Sequence, residues 1–325
     1  MKLRVAILYG GRSGEHEVSI RSAESIMAAM DPSKYEILRI FITPEGRWTP
    51  RPILPEPNAN PGIDVVFPVL HGTFGEDGTV QGLLELAGLP YIGAGVLGSS
   101  VSMDKEVMKR LCLERGLPVV PYVTLWRWQL DIEAVEQRLS YPVFVKPANL
   151  GSSVGISKAK SRAELEAALE LAGQYDRKII VERAITGREL ECSVLGNADP
   201  KASLPCEILP SREFYDYDDK YLLDLAQTIV PADLTPEQTE ETRQLAVACY
   251  QAVECEGMAR VDFLLEAATG RIYINEINTI PGFTSISMFP KMWEATGLPY
   301  SALIDRLIEL ALARHALKQQ TRYRR

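Results

Sequence analysis

The chain is poor in the residues that would build a disulfide framework, a zinc site or a polyanion-binding surface. Its five cysteines, Cys112, Cys192, Cys206, Cys249 and Cys255, form no C-x-x-C pair, and no histidine stands near them at zinc-ligand spacing. That usage predicts buried, reduced thiols in a cytoplasmic protein. No apolar run nears the roughly 20 residues that a bilayer span needs, so no membrane association is expected. With 35 basic against 43 acidic residues the net charge is −8, and nucleic acid is not an expected partner either. The sequence contains no Gly-Lys dipeptide, which excludes a Walker A loop. The opening Met1 to Gly11 lacks a small-residue cleavage site and reads as a first strand, not as a signal peptide.

What is present is ample for a core: 325 residues, 46% of them hydrophobic, a length that suggests two or three domains. Leu3 to Tyr9 is apolar, and Ile20, Ala23, Ile26, Met27 and Met30 then recur at helical spacing. Tyr35 to Thr43 and Asp64 to Leu70 are further β-rich runs. This βαβ order predicts a parallel sheet flanked by helices, with ligands beyond the carboxyl ends of its strands. Gly10, Gly11, Gly14 and Glu15 follow one such end, and His71 and Gly72 another. The early glycines do not make G-x-G-x-x-G, because Arg12 and Glu15 occupy glycine positions.

Further on, a helix is expected after Ser102 as its N-cap, ending near Gly116, with a domain boundary close by at Pro118 and Pro121. Strand Val143 to Val145, a glycine- and serine-rich loop, a helix opened by Ser161 and Glu164, and strand Lys178 to Glu182 form the next block. Thr235-Pro236-Glu237-Gln238 caps a helix predicted to run to Gly257. Val261 to Glu266 and Arg271 to Asn278 then flank Ala267 to Gly270 as an antiparallel hairpin.

The hairpin carries the first chemistry, since residues two apart on a strand share a face. Arg260 and Asp262 share one face, and Glu276 and Asn278 share one on the partner strand. If the register aligns them, three oxygen side chains and a guanidinium converge. Mg²⁺ suits that inventory, because it takes few carboxylates and leaves its other positions to phosphate and water. The alternative is an ion-paired sheet face. The loop after Lys146, Pro147-Ala148-Asn149-Leu150-Gly151-Ser152-Ser153-Val154-Gly155, can fold its N–H groups over phosphates, or it can be an ordinary hairpin turn. Lys105 and Lys220 are the other candidate phosphate partners. Glu15 can meet an ammonium group or favour the helix N-terminus that follows it.

Six separated motifs, in order, make the chain resemble the bacterial D-alanine–D-alanine ligases over nearly its whole length. They are His71 to Gly78 with Gln81-Gly82, Ser102-Met-Asp-Lys105, Val145 to Gly155, Phe214-Tyr-Asp-Tyr-Asp-Asp-Lys-Tyr221, Arg260-Val-Asp262, and Asn275-Glu-Ile-Asn-Thr-Ile-Pro-Gly-Phe-Thr-Ser285. The resemblance implies an ATP-grasp fold of three α/β domains. Residues 1–104 would be Rossmann-like and bind the first D-alanine, and 105–192 and 193–325 would grip ATP between them. It implies two Mg²⁺ ions on Asp262, Glu276 and Asn278, with Mn²⁺ an acceptable substitute. Lys105, Lys146, Ser153 and Lys220 would meet the ATP phosphates. Glu182, Arg183, Ala184 and Ile185 would line the adenine slot, with Phe214 against the base and Glu189 on the ribose.

By the same resemblance the first D-alanine would give its ammonium to Glu15 and its carboxylate to Arg260. The second would place its carboxylate on Ser287, beside Met288, and on Lys220. Ser152, Tyr221 and Glu15 would form the group near the attacking amine, with His71 close by. Arg260 and the N–H of Gly282 would stabilise the oxyanion. The loops around 149–155 and 210–225 would close to keep water from an acyl phosphate. The resemblance also implies a homodimer and a role in supplying peptidoglycan precursor. Two rivals remain: a D-alanine–D-lactate ligase, against which Tyr221 argues, and a nucleotide-binding regulator that has lost catalysis.

Overall fold

The computed structural model describes residues 2–151, 154–209, 227–284 and 286–323. The first strand, β1 (Leu3–Gly10), lies parallel to β2 (Tyr35–Ile42) and to β4 (Val65–Val69), and short β3 (Trp48–Thr49) runs antiparallel along β2. The order β3-β2-β1-β4 realises the expected parallel sheet. Every residue of β4 is buried, as suits a strand covered on both faces. Helix α1 (His16–Ala29) covers one face, and α2 (Thr79–Leu86) sets Val80 and Leu84 against Ala6, Leu8 and Val66 on the other.

The helix expected after Ser102 is two helices, α3 (Val96–Met103) and α4 (Lys105–Glu114). Ser102 lies within α3. The N-cap of α4 is Asp104, whose carboxylate accepts from the N–H groups of Glu106 and Val107 at 3.2 and 3.1 Å. The exit near Gly116 stands, with that glycine at φ +70°.

A second sheet is antiparallel, with β5 (Tyr122–Trp126), β6 (Val143–Pro147), β7 (Ser157–Ala159) and β8 (Lys178–Arg183) in the order β5-β8-β6-β7. Helices α5 (Ile132–Arg138) and α6 (Arg162–Tyr175) bury Val135, Leu165 and Leu169 in its core. Ser161 caps α6 as expected.

The third sheet takes in β9 (Gly187–Gly196), β10 (Lys201–Ala202), β11 (Cys206–Leu209), β12 (Gln227–Ile229), β13 (Gly257–Glu266) and β14 (Ile272–Asn278). Its order is β12-β11-β9-β13-β14, with β10 beside β9. Helix α7 (Pro236–Ala252) opens with the expected Thr235/Gln238 capping box. It ends short of Gly257, because the bonds Cys255 N–H to Tyr250 O and Glu254 N–H to Gln251 O close a Schellman turn. The left-handed position of that turn is held by Glu254, φ +54°, not by glycine. The chain finishes with α8 (Met288–Ala295) and α9 (Tyr300–Lys318). All five cysteines carry free, buried thiols. No helix among the described residues is long and apolar enough to cross a membrane.

Candidate active site

Two cavities meet where the three sheets approach one another. The first, about 330 Å³, lies between the loops that leave β1 and β4 and the end of β14, and is lined by Glu15, His71, Glu76, Arg260, Gly282, Ser287 and Met288, among others. The second, about 460 Å³, lies between the second and third sheets, against Phe144, Lys146, Glu182 to Ile185, Glu189 and Asp262. Lys105, Gly151, Glu191 and Glu276 line both.

The hairpin register is the one the chemistry requires. Arg260 faces Asn278 and Asp262 faces Glu276, with a bulge only after Asp262. Asp262 accepts from Arg260 Nε and Nη2, both at 2.7 Å, and from Asn278 Nδ2 at 3.0 Å. Burial works against the Arg260 charge, but Asp262 and then Glu191 hold it firmly protonated. Among the described residues no three His, Cys, Asp or Glu side chains stand close enough to hold a metal ion as they are. The donor set nevertheless fits Mg²⁺: Asp262, Glu276 and Asn278 offer oxygen ligands beside a cavity where phosphate oxygens would complete the shell.

The lysines are held by carboxylates. Lys105, the first residue of α4, places Nζ 2.8 Å from Leu150 O and 3.3 Å from Glu276 Oε2. Lys146, on β6, lies 2.5 Å from Glu182 Oε2, and Lys109, one turn beyond Lys105, lies 2.7 Å from Glu182 Oε1. The Glu182 side chain is therefore committed to two lysines. Burial opposes its charge, yet Lys109 and Lys146 bring the carboxyl down to about 2.

On the other side, His71 is buried with both ring nitrogens bonded, Nδ1 to Ile280 O at 2.9 Å and Nε2 to Ser22 Oγ at 3.0 Å. Burial lowers its proton affinity. The ring is neutral, donating from Nδ1 to the carbonyl and accepting at Nε2. Ser22 Oγ also accepts from Phe283 N–H at 3.3 Å, so the histidine ties β4 to the loop after β14. Glu76 makes a parallel tie, accepting from Gly72 N–H at 2.7 Å and Ile280 N–H at 3.1 Å. Burial, then the charge of Glu15, raises its carboxyl to about 8. Glu15 itself caps α1 without a side-chain cap bond, and Gly72 lies so close that a Cβ there would stand 2.6 Å from its Oε2.

Ser287 is the N-cap of α8, and its Oγ accepts from Thr284 N–H at 3.0 Å. Of the residues expected at the site, Ser152, Ser153, Phe214, Lys220 and Tyr221 lie outside the described residues. Sequence reasoning missed Glu76, Lys109, Glu191 and Lys291, the last a lining residue of the first cavity. Signals for three of them existed: Glu76 sits inside the His71 to Gly78 motif, Lys109 is one helical turn from Lys105, and Glu191 is two strand positions from Glu189.

Residues 111–309 match the family described as D-ala D-ala ligase C-terminus, and residues 4–61 and 51–94 match D-ala D-ala ligase N-terminus. The chain belongs to the D-alanine–D-alanine ligase family. Within that family it is 72% identical over 325 residues to the D-alanine–D-alanine ligase of Solibacter usitatus (strain Ellin6076), covering 100% of both chains. It is 49% identical to the ligase of Geobacillus thermodenitrificans (strain NG80-2), covering 99% of each. Among solved structures, the D-alanine–D-alanine ligase from Coxiella burnetii aligns with a TM-score of 0.88 at 42% identity, over 98% of this chain and 96% of that one. The VanG D-Ala:D-Ser ligase from Enterococcus faecalis aligns with a TM-score of 0.86 at 37% identity, over 96% and 100%. The α/β architecture with a parallel amino-terminal sheet is thus the ATP-grasp fold of this family.

Proposed function

We propose that the chain uses ATP to join two D-alanine molecules into D-alanyl-D-alanine, with a D-alanyl phosphate as intermediate, releasing ADP and phosphate. The carrying observation is the junction of two cavities at Lys105 and Glu276, beside the Arg260–Asp262 pair. A nucleotide in the second cavity would direct its terminal phosphate at that junction, where an amino acid in the first would present its carboxylate.

Residues 1–104 would then form the domain that receives the first D-alanine, and 105–192 and 193–325 the two that hold ATP. Lys105 and Lys146, with Ser153 and Lys220, would meet the phosphates. The Glu182 to Ile185 segment would edge the base together with Phe214, and Glu189 would take the ribose. Two Mg²⁺ ions, replaceable by Mn²⁺, would sit on Asp262, Glu276 and Asn278, where bound cations neutralise charge during phosphoryl transfer.

Glu15 would hold the ammonium of the first D-alanine and Arg260 its carboxylate. Once that carboxylate is phosphorylated it becomes an electrophile, and the neutral amine of the second D-alanine attacks its carbonyl. Arg260 and the Gly282 N–H would receive the oxyanion. The α8 N-terminus with Ser287 and Met288, assisted by Lys220, favours the second carboxylate. Ser152, Tyr221 and Glu15 would order the attacking amine. His71, with both nitrogens occupied, holds the site's frame. The reading extends to a homodimer at work in the cytoplasm, supplying peptidoglycan precursor.

The test is ADP release with ATP, Mg²⁺ and D-alanine, L-alanine, D-serine, or D-alanine plus D-lactate, each product identified by mass. D-alanine-dependent turnover to the dipeptide is expected. Nucleotide binding without turnover on any of them would overturn the reading.

A further inference from the structure

Arg260 stands among more carboxylates than the reaction assigns to it. Asp262 takes its Nε and Nη2 at 2.7 Å, and Glu191 Oε2 lies 3.3 Å from the same Nε. The register explains this. Glu191 on β9, Asp262 on β13 and Glu276 on β14 are direct cross-strand partners, so their side chains form one row on one face. Arg260, two positions before Asp262, rises from that same face. Glu191 is only 7% exposed, and its β11 partner Cys206 offers it a thiol at 4.0 Å. A buried carboxylate so placed needs a cation, and the geometry supplies Arg260.

The proposed reaction asks two things of Asp262 at once. Its oxygens accept from Arg260 and Asn278, yet a divalent cation on Asp262, Glu276 and Asn278 would draw on those same oxygens and repel the guanidinium. Arg260 then needs a second anion if it is to stay facing a substrate carboxylate. We propose that Glu191 is the positioning residue that keeps the Arg260 guanidinium in the site when a divalent cation takes Asp262. This rests on the proposed function, from which it takes the metal ligands and the task of Arg260. Glu191 acts on the reaction through Arg260, although it also lines both cavities.

The test is a Mn²⁺ titration of the full chain with a non-hydrolysable ATP analogue bound, free Mn²⁺ being read by electron paramagnetic resonance. Glu191→Gln removes the second carboxylate at the guanidinium, which then stays on Asp262 and competes with the metal. Mn²⁺ affinity is expected to fall about tenfold, a typical coupling between two linked ligands. In an Arg260→Met background the same substitution should change nothing, because the competitor is gone. Affinity unchanged in Glu191→Gln, or weakened equally with and without Arg260, would overturn the inference. If the glutamine variant does not fold, Glu191→Asp carries the same comparison, with a smaller loss that Arg260→Met again cancels. A wild-type chain that makes the dipeptide while Glu191→Gln binds Mn²⁺ normally would sink this inference alone. A wild-type chain that ligates no D-alanine would sink the proposed function whatever Glu191 does.

Discussion

At the scale of single residues, the site depends on close contacts that tolerate little added volume or charge. Gly72 has φ +72°, and a Cβ there would lie 2.6 Å from Glu15 Oε2, so Gly72→Ala must displace the carboxylate proposed to hold the first ammonium. The KM for D-alanine should rise by about tenfold or more, as misplacement of an orienting group costs. Nucleotide affinity, read by calorimetry, should stay within about twofold, because neither Gly72 nor Glu15 lines the second cavity. Burial and Glu15 raise Glu76 to about 8, so the folded state favours its protonated form. That contribution to stability is complete below the unfolded carboxyl value of 4.5 and is lost as pH climbs toward 8. Burial lowers His71, which acts oppositely: its contribution is complete above 6.5 and lost as pH falls below that. Above 6.5 the slope therefore belongs to Glu76 within this pair. Glu76→Gln should flatten the wild-type decline in Tm between pH 6.5 and 8 by a few degrees; parallel slopes in the two proteins would contradict the assignment.

At the scale of elements, the hairpin of β13 and β14 was the most legible part of the chain, because a period of two and a glycine-containing turn leave few registers to choose from. The observed register brings Arg260, Asp262, Glu276 and Asn278 together, the condition that sequence spacing had left open. Helix ends were harder. The exit of α7 was read as Gly257 because glycine is the usual left-handed residue, whereas tertiary packing places Glu254 there at φ +54°. Glu254 is exposed, so Glu254→Gly should relieve backbone strain and stabilise the protein by about 0.5–1 kcal/mol, seen as a higher urea midpoint. The α4 cap was misplaced for a related reason: Ser102 and Asp104 are both good caps by composition, and only the second has its oxygen at the free N–H groups. Glu191 and Glu76 carried local signals, but their roles were not legible, because the partners that define them, Arg260 and Ile280, are far away in the chain. A local pattern can flag the residue but not its distant partner.

At the scale of the whole molecule, the two chain ends share one core. Leu303, Ile304 and Leu307 of α9 pack in the same cluster as Val5 and Ile7 of β1 and Phe67 of β4. Leu307→Ala should cost about 3 kcal/mol, the usual range for a buried leucine. Hydrogen exchange should show β1 and α9 losing protection together, and α9 exchanging while β1 stays protected would contradict a shared core. This joined core, with the two antiparallel sheets, sets the first cavity against the second, and the two share Lys105, Gly151, Glu191 and Glu276. The central claim is that a carboxylate is phosphorylated there before the peptide bond forms. D-Alanine labelled with ¹⁸O in both carboxylate oxygens, incubated with the enzyme, ATP and Mg²⁺, tests it most directly. The account predicts inorganic phosphate carrying one label from the carboxylate and a dipeptide retaining the rest, both read by mass. Dipeptide accompanied by unlabelled phosphate would contradict it.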